Sequence, residues 1–300
     1  MEIRVLRYFL AVAKEGGFSA AAETLNITQP TLSRQIQELE IELGYPLFER
    51  ANRNVFLTAE GMFLRQRAEE ILEMVEKTKS EFSRARNAVE GDVHIGGGET
   101  EGMTIVARCI RDVQKKYPKI RFHLYSGNAQ DVAERLEKGL LDFGVLIQPF
   151  DLSKYDKIDL PAKDVWGVIL KKDHPLAAHK TLNKNDLPGV PLICSRQVLQ
   201  KSVKENGFLD WFGSDVDKMN IVATYNLLFN AVLLVEEGVG CALALDKLAN
   251  IRNNGSLCFR PLEPVLESAL NLVWKRNQSF SPAQKAFLDA VQKKCALLHA

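Results

Sequence analysis

The character of the chain changes near Gly91: the residues before it are nearly free of strand signals, and those after it alternate strand and helix patterns. A chain divided in this way folds as a helical module followed by an α/β module. Its 300 residues are enough for each to have a core of its own.

In the first part, Leu6, Phe9, Leu10 and Ala13 recur at helical spacing until Gly16 and Gly17 stop the helix. Ser19 is placed to cap a second helix carrying Ala21, Ala22 and Leu25. After a turn at Asn26 and Ile27, a third helix starts with Thr28 as cap and Pro30 in its first turn, where a missing amide hydrogen costs little. Small Ala22 allows a close crossing, and Leu25, Ile27, Leu32 and Ile36 point inward. Gln29, Ser33 and Arg34 are left outward, which is the arrangement of a helix-turn-helix. Asn26 stands where glycine is common in such turns, and asparagine tolerates the left-handed conformation.

Leu47, Phe48, Val55 and Leu57 then anchor a small β wing whose tip includes Arg50 and Arg53. Thr58 caps a long helix in which Leu64, Ala68, Ile71, Val75, Thr78, Phe82, Ala85 and Val89 alternate four and three residues apart. That stripe fits either a bundle within one chain or a dimer, and the dimer explains more because two tethered modules read two half-sites.

Charge gives no global hint of a polyanion partner: 39 basic residues stand against 38 acidic, a net +1. Over residues 1–58 six basic residues face seven acidic ones, so only placement can make a positive face, with Glu38, Glu40 and Glu42 held away from phosphate or in salt bridges. On the third helix Gln29 suits adenine, and Arg34 suits either guanine or a phosphate. Arg50 and Arg53 suit a narrow minor groove, or form a solvated surface pair.

After Gly91 the pattern reads as strands at 93–95, 120–125 and 143–147, with helices at 102–116 and 129–138, so two βαβ units form a parallel sheet. Strands at 165–171 and 192–195, a helix at 197–206 and a strand–helix pair through Ile221 and 227–236 make a second unit. Strand 269–274 and a final helix capped by Ser281 return to the first, with crossings at 160–163 and 262–266 forming a hinge. Thr100, Asn128 and Gln148 follow the C-terminal ends of parallel strands, and Ser195 and Tyr225 occupy comparable edges, so all five are candidates to line an interlobe cleft. Each could equally be a helix cap or turn residue. The run GGGETEG matches neither a phosphate loop nor a dinucleotide fingerprint.

Five scattered cysteines, Cys109, Cys194, Cys241, Cys258 and Cys295, argue against a disulfide scaffold or thiolate metal cage. The five histidines lack paired metal spacing and Ser195 lacks a GxSxG elbow, so no triad, metal or cofactor is expected. No apolar run suits a signal peptide or membrane span, and a soluble cytoplasmic protein is expected.

The segment FLAVAKEGGFSAAAETLNITQPTLSRQIQELEIELGYPLFERANRNVFLTAEG joins the helix-turn-helix to an L-E-x-x-L-G helix end, an L-F-x-R wing and an L-T-x-x-G linker start. On these motifs the sequence resembles the LysR-type transcriptional regulators along essentially its whole length. The resemblance implies an N-terminal winged helix-turn-helix at 1–58 and a linker dimerisation helix at 59–90. A two-lobed α/β effector domain resembling periplasmic binding proteins would follow at 91–300, with lobe I at 91–161 and 266–300 and lobe II at 162–265.

It places Thr28, Gln29, Pro30, Thr31, Ser33, Arg34, Arg50 and Arg53 on DNA. Thr100, Asn128, Gln148, Ser195 and Tyr225 would hold a small-molecule effector, and Leu64, Ala68, Ile71, Val75 and Phe82 a dimer that can extend to a tetramer. RNA polymerase is a further partner it allows. Glu99 and Glu101 depart from the family's usual turn and would repel a carboxylate effector if they faced the pocket. The alternatives are an α/β enzyme with a helical appendage and a ligand-independent structural DNA protein.

Overall fold

The computed structural model describes residues 1–51, 54–82, 89–199, 207–213, 218–248 and 255–299; Arg53, Ala85 and most of the helix expected over 197–206 lie outside them. The chain divides into two compact units, Met1–Ser83 and Arg84–Ala300. Among the described residues no helix is long and apolar enough to cross a membrane.

In the first unit α1 (Ile3–Glu15) ends at Gly16, whose φ of 66° is the left-handed conformation that glycine adopts freely. Helix α2 (Phe18–Thr24) starts one residue before Ser19, with Gly17 in the cap position, so Ser19 lies in the first turn and does not cap it. Asn26 takes a φ of 53°, and the Ile27 amide donates to Ala22 O at 3.0 Å, closing the turn into α3 (Gln29–Leu43). Leu6, Phe9 and Val12 of α1, Ala21 and Ala22 of α2, and Leu32, Ile36 and Leu39 of α3 bury their side chains in one core.

Strands β1 (Phe48–Ala51) and β2 (Asn54–Leu57) form the wing, with Arg50 opposite Val55. The Phe48 ring packs at a tilt, its centroid 5.2 Å from that of Phe9, and Glu40 accepts the Leu47 amide at 2.7 Å, fixing the wing to α1 and α3. Helix α4 (Ala59–Phe82) begins where Thr58 Oγ1 accepts the Gly61 amide at 2.9 Å. Its apolar stripe divides. Leu64 and Ala68 belong to the unit's own core, whereas Ile71 and Thr78 are exposed and Val75 is half-buried. Leu64 and Ala68 therefore already have cover within one chain. Val89 does not continue the helix and packs against the core of the second unit.

In the second unit, parallel strands β4 (Ile120–Ser126), β3 (Gly91–Gly97) and β5 (Phe143–Ile147) are joined by α5 (Met103–Lys116) and α6 (Ala129–Glu137). Strand β6 (Tyr155–Lys171) is longer than its sequence suggests. Pro161, just before the strand expected at 165–171, falls in a register shift between Leu160 and Lys163 where they face Leu270 and Ala269 of β11 (Glu267–Lys275). A bulge is the place in a sheet where a missing N–H costs least.

The first half of β6 pairs with β11 beside β5. Its second half pairs with β9 (Cys241–Leu245) and β10 (Leu257–Pro261), neither expected from sequence, and the sheet continues to β7 (Leu192–Ser195) and β8 (Ile221–Tyr225). Residues 196–199 form a turn; α7 (Gly207–Phe212) and α8 (Leu228–Glu236) cover this lobe. Helix α9 (Pro282–His299), boxed at its start by Ser281 and Gln284, returns Phe287 and Val291 to the core of the first lobe.

Asp164 lies on β6 where it crosses between lobes, 1% exposed, and accepts from Thr100 Oγ1 at 2.5 Å. Burial pushes its carboxyl up to about 6, assisted by Asp246 and Glu101 and opposed by the Thr100 hydrogen bond and Lys247. A raised carboxyl favours the folded state while protonated, so this contribution is present below the unfolded value and lost as pH rises through about 6.

Asp164→Asn is expected to remove a fall in second-unit stability of roughly 2–3 kcal/mol between about pH 4 and 7. The three tryptophans, Trp166, Trp211 and Trp274, all lie in that unit, and their fluorescence during denaturant unfolding reads it; parallel pH profiles for wild type and variant would contradict the assignment. In the first unit a Cβ on Gly61 would meet Leu47 O at 2.1 Å. Gly61→Ala should destabilise that unit by about 1–3 kcal/mol in spite of alanine's better helix propensity, and an unchanged or raised unfolding midpoint by circular dichroism would refute this.

Candidate functional site

The face of α3 opposite the core carries Gln29, Pro30, Thr31 and Arg34 exposed, with Ser33 half-buried. Thr28 occupies the cap position without a capping bond; its hydroxyl instead pairs with Thr31 Oγ1 at 2.8 Å. Arg34 Nε donates to Glu38 Oε1 at 2.8 Å in an exposed i,i+4 pair, a weak bond that a phosphate or guanine can replace.

Each acidic residue on α3 is engaged. Glu38 pairs with Arg34, Glu40 holds the wing backbone, and Glu42 accepts from the Met1 ammonium at 2.5 Å. The helix thus presents an amide, hydroxyls and a guanidinium together, as major-groove reading requires. Arg50 is placed on β1 by its backbone register, and Phe82 by the backbone of α4.

In the second unit the strand ends of both lobes face a narrow cleft, with about 50 Å³ of enclosed space. Of the five residues expected there, Asn128, Gln148, Ser195 and Tyr225 line it. Thr100 does not. It is buried, giving its hydroxyl hydrogen to Asp164 and accepting the Gly102 amide at 3.0 Å.

The backbone explains the four: β4 ends before Asn128, β5 before Gln148, and Ser195 and Tyr225 are the last residues of β7 and β8. The apolar wall is made by Ile147, Trp166, Leu228, Leu245 and Leu248. Sequence reasoning missed Gln197 and this wall. The strand-end rule, extended two residues past β7, reaches Gln197, but no local signal marks Trp166.

Hydrogen bonds cross the cleft in both directions. From the second lobe, Gln197 Oε1 accepts the Ala129 amide at 3.2 Å at the start of α6, and its Nε2 donates to Ile147 O at 2.9 Å. From the first lobe, Glu99 Oε2 accepts the Leu228 amide at the start of α8. Asn128 Oδ1 accepts the Gln130 and Asp131 amides, and Asn226 Oδ1 accepts that of Leu227 at 3.0 Å.

Gln148 donates to Asn271 Oδ1 at 2.8 Å, and the Tyr225 hydroxyl, its pKa raised by burial, donates to Leu243 O at 2.7 Å. Burial also pushes the nearby Cys194 thiol up to about 12. Among the described residues no group of three or more His, Cys, Asp or Glu side chains is placed to hold a metal ion.

Two family models cover nearly all of the chain: the bacterial regulatory helix-turn-helix protein model of the lysR family over residues 3–62, and the LysR substrate binding domain over residues 86–296. The Hca operon transcriptional activator HcaR of Escherichia coli K12 is 33% identical over 299 residues, 99% of each chain. An uncharacterized HTH-type transcriptional regulator of Bacillus subtilis 168, YvbU, is 27% identical over 98% of each. The crystal structure of full-length CbnR with its target DNA superposes with a TM-score of 0.73 at 21% identity, over 98% of this chain and 100% of that one, a likeness of fold. Full-length BenM, 28% identical, gives 0.51 over 99% and 97%. A helix-turn-helix presenting Gln29 and Arg34, a two-lobed α/β unit with a cleft at its strand ends, and matches to both models of one family have a single reading: the chain belongs to the LysR family of DNA-binding transcriptional regulators.

Proposed function

We propose that the protein binds promoter DNA as a dimer, and that a small molecule held between the two lobes of its effector domain selects the state in which it regulates transcription. The observation that carries this reading is the cleft itself. Both lobes contribute polar side chains to one space, so a ligand touching both favours the closed arrangement. A tenfold preference for one closure shifts the equilibrium by about 1.4 kcal/mol, which matters when the two states are close in energy. Gln29 and Arg34 read base edges in the major groove, with Thr28, Pro30, Thr31 and Ser33 positioning the helix, while Arg50 and Arg53 serve the wing in the minor groove.

The dimer surface we assign to α4 begins beyond Leu64 and Ala68, further along the helix. It uses the exposed Ile71, 36% accessible, which the first unit leaves uncovered, and continues toward Val75 and Phe82. Two such dimers can associate further, and a promoter-bound assembly is a surface for RNA polymerase.

Gln29→Ala is expected to weaken binding to a specific site from the DNA adjoining the protein's own gene by about 5- to 100-fold, with much less effect on scrambled DNA. Fluorescence anisotropy with both duplexes checks it, and equal losses on the two would contradict base reading by Gln29. Ile71→Glu should lower the sedimentation mass to that of a smaller assembly at unchanged helicity. An unaltered mass would remove α4 from the dimer interface.

A further inference from the structure

Among its described lining residues the cleft carries one formal charge, and that charge is negative. Every anion site in a fold of this kind is made from backbone amides, hydroxyls or basic side chains, and here five amides at the starts of the two helices beside the space are taken by the chain's own acceptors. At the start of α6, Asn128 Oδ1 holds the Gln130 and Asp131 amides and Gln197 Oε1 holds that of Ala129. At the start of α8, Asn226 Oδ1 holds the Leu227 amide and Glu99 Oε2 that of Leu228.

Three lining side chains commit a donor as well: Gln148 to Asn271, Gln197 to Ile147 O, and Tyr225 to Leu243 O. None of the described lining residues is lysine or arginine, and one, Glu99, is acidic. Among the described residues neither Glu99 Oε1 nor Ser195 Oγ makes a hydrogen bond, so beside the neutral side-chain nitrogens of Asn128 and Asn226 the cleft offers an anionic acceptor and a hydroxyl next to an apolar wall.

The geometry points to an effector that carries a protonated amine on a compact apolar body. Its ammonium group is received by Glu99 Oε1 and Ser195 Oγ, and its body lies against Trp166, Leu228 and Leu245. Glu99 then serves both lobes at once, one oxygen on the Leu228 amide and the other on the ligand, so a bound amine reinforces the bond that already spans the cleft. A carboxylate would meet Glu99 with no lysine or arginine among the described lining residues to offset the repulsion. This inference rests on the cleft being the effector site.

The test uses the full chain and three matched probe pairs at ~10 mM, butylamine and butyrate, benzylamine and benzoate, phenethylamine and phenylacetate, with thermal unfolding followed by tryptophan fluorescence. At least one amine is expected to raise the unfolding midpoint of wild type and no carboxylate to do so. Glu99→Gln keeps an oxygen for the Leu228 amide and should fold, but lose about tenfold or more in amine affinity. Ser195→Ala, which leaves that bond untouched, should lose a smaller factor.

Protection by a carboxylate, amine protection that survives Glu99→Gln, or no amine protecting wild type would each overturn the assignment. DNA anisotropy on the same samples separates the two readings. Specific DNA binding without amine protection sinks the ligand class alone, whereas amine protection that leaves DNA affinity unchanged sinks the proposed regulation and keeps the ligand class.

Discussion

One antiparallel ribbon, β6 against β11, carries both lobes of the effector domain. Residues 155–165 of β6 belong to the first sheet and 166–171 to the second, so a single run of backbone hydrogen bonds sets where the lobes meet and which way they can move. Trp166 anchors the crossing. Its amide donates to Leu266 O at 2.8 Å, its indole to Ser268 Oγ at 2.8 Å, and its ring forms part of the cleft wall. Opening the cleft therefore bends a ribbon whose side chains also meet the ligand space, and Asp164, buried beside that crossing against Thr100, lies at the same pivot.

Much of this was legible in the sequence, for identifiable reasons. The helix-turn-helix could be read because its determinants are local: Gly16 stops one helix, Asn26 makes the turn, Pro30 begins the next, and the inward residues recur at helical spacing. The parallel strands of the first lobe were equally plain, since β3 and β4 are each followed by an amphipathic helix that leads to the next strand. What could not be read depended on partners distant in sequence. The strand read from sequence begins only at Val165, because the part of β6 before it, with a bulge at Pro161, is held by pairing with the distant β11. Thr100 obeys the strand-end rule in position, but a carboxylate 64 residues away claims its hydroxyl. Periodicity finds the stripe on α4 without saying who covers it, and the chain's own core takes Leu64 and Ala68.

The near balance of charge acquires a structural sense. The acidic residues of the recognition helix are consumed in holding Arg34, the wing backbone and the chain's first amine, so they do not cancel the face that Gln29 and Arg34 present. In the effector domain the one acidic residue among the described lining residues does the opposite, entering the cleft and joining the lobes. The two units thus use carboxylates in different ways. In one they are spent on Arg34, the wing backbone and the Met1 ammonium, and in the other a carboxylate bonds one lobe to the other.

The central claim is that the chain reads DNA through two copies of one helix held at fixed separation. Selection of binding sites by the full-length protein from a random duplex library tests it most directly. The account predicts enrichment of one motif composed of two related half-sites whose centres lie roughly one helical turn, about 10 base pairs, or a multiple of it apart. Enrichment of a single undivided site, or no enrichment over the starting library, would contradict it.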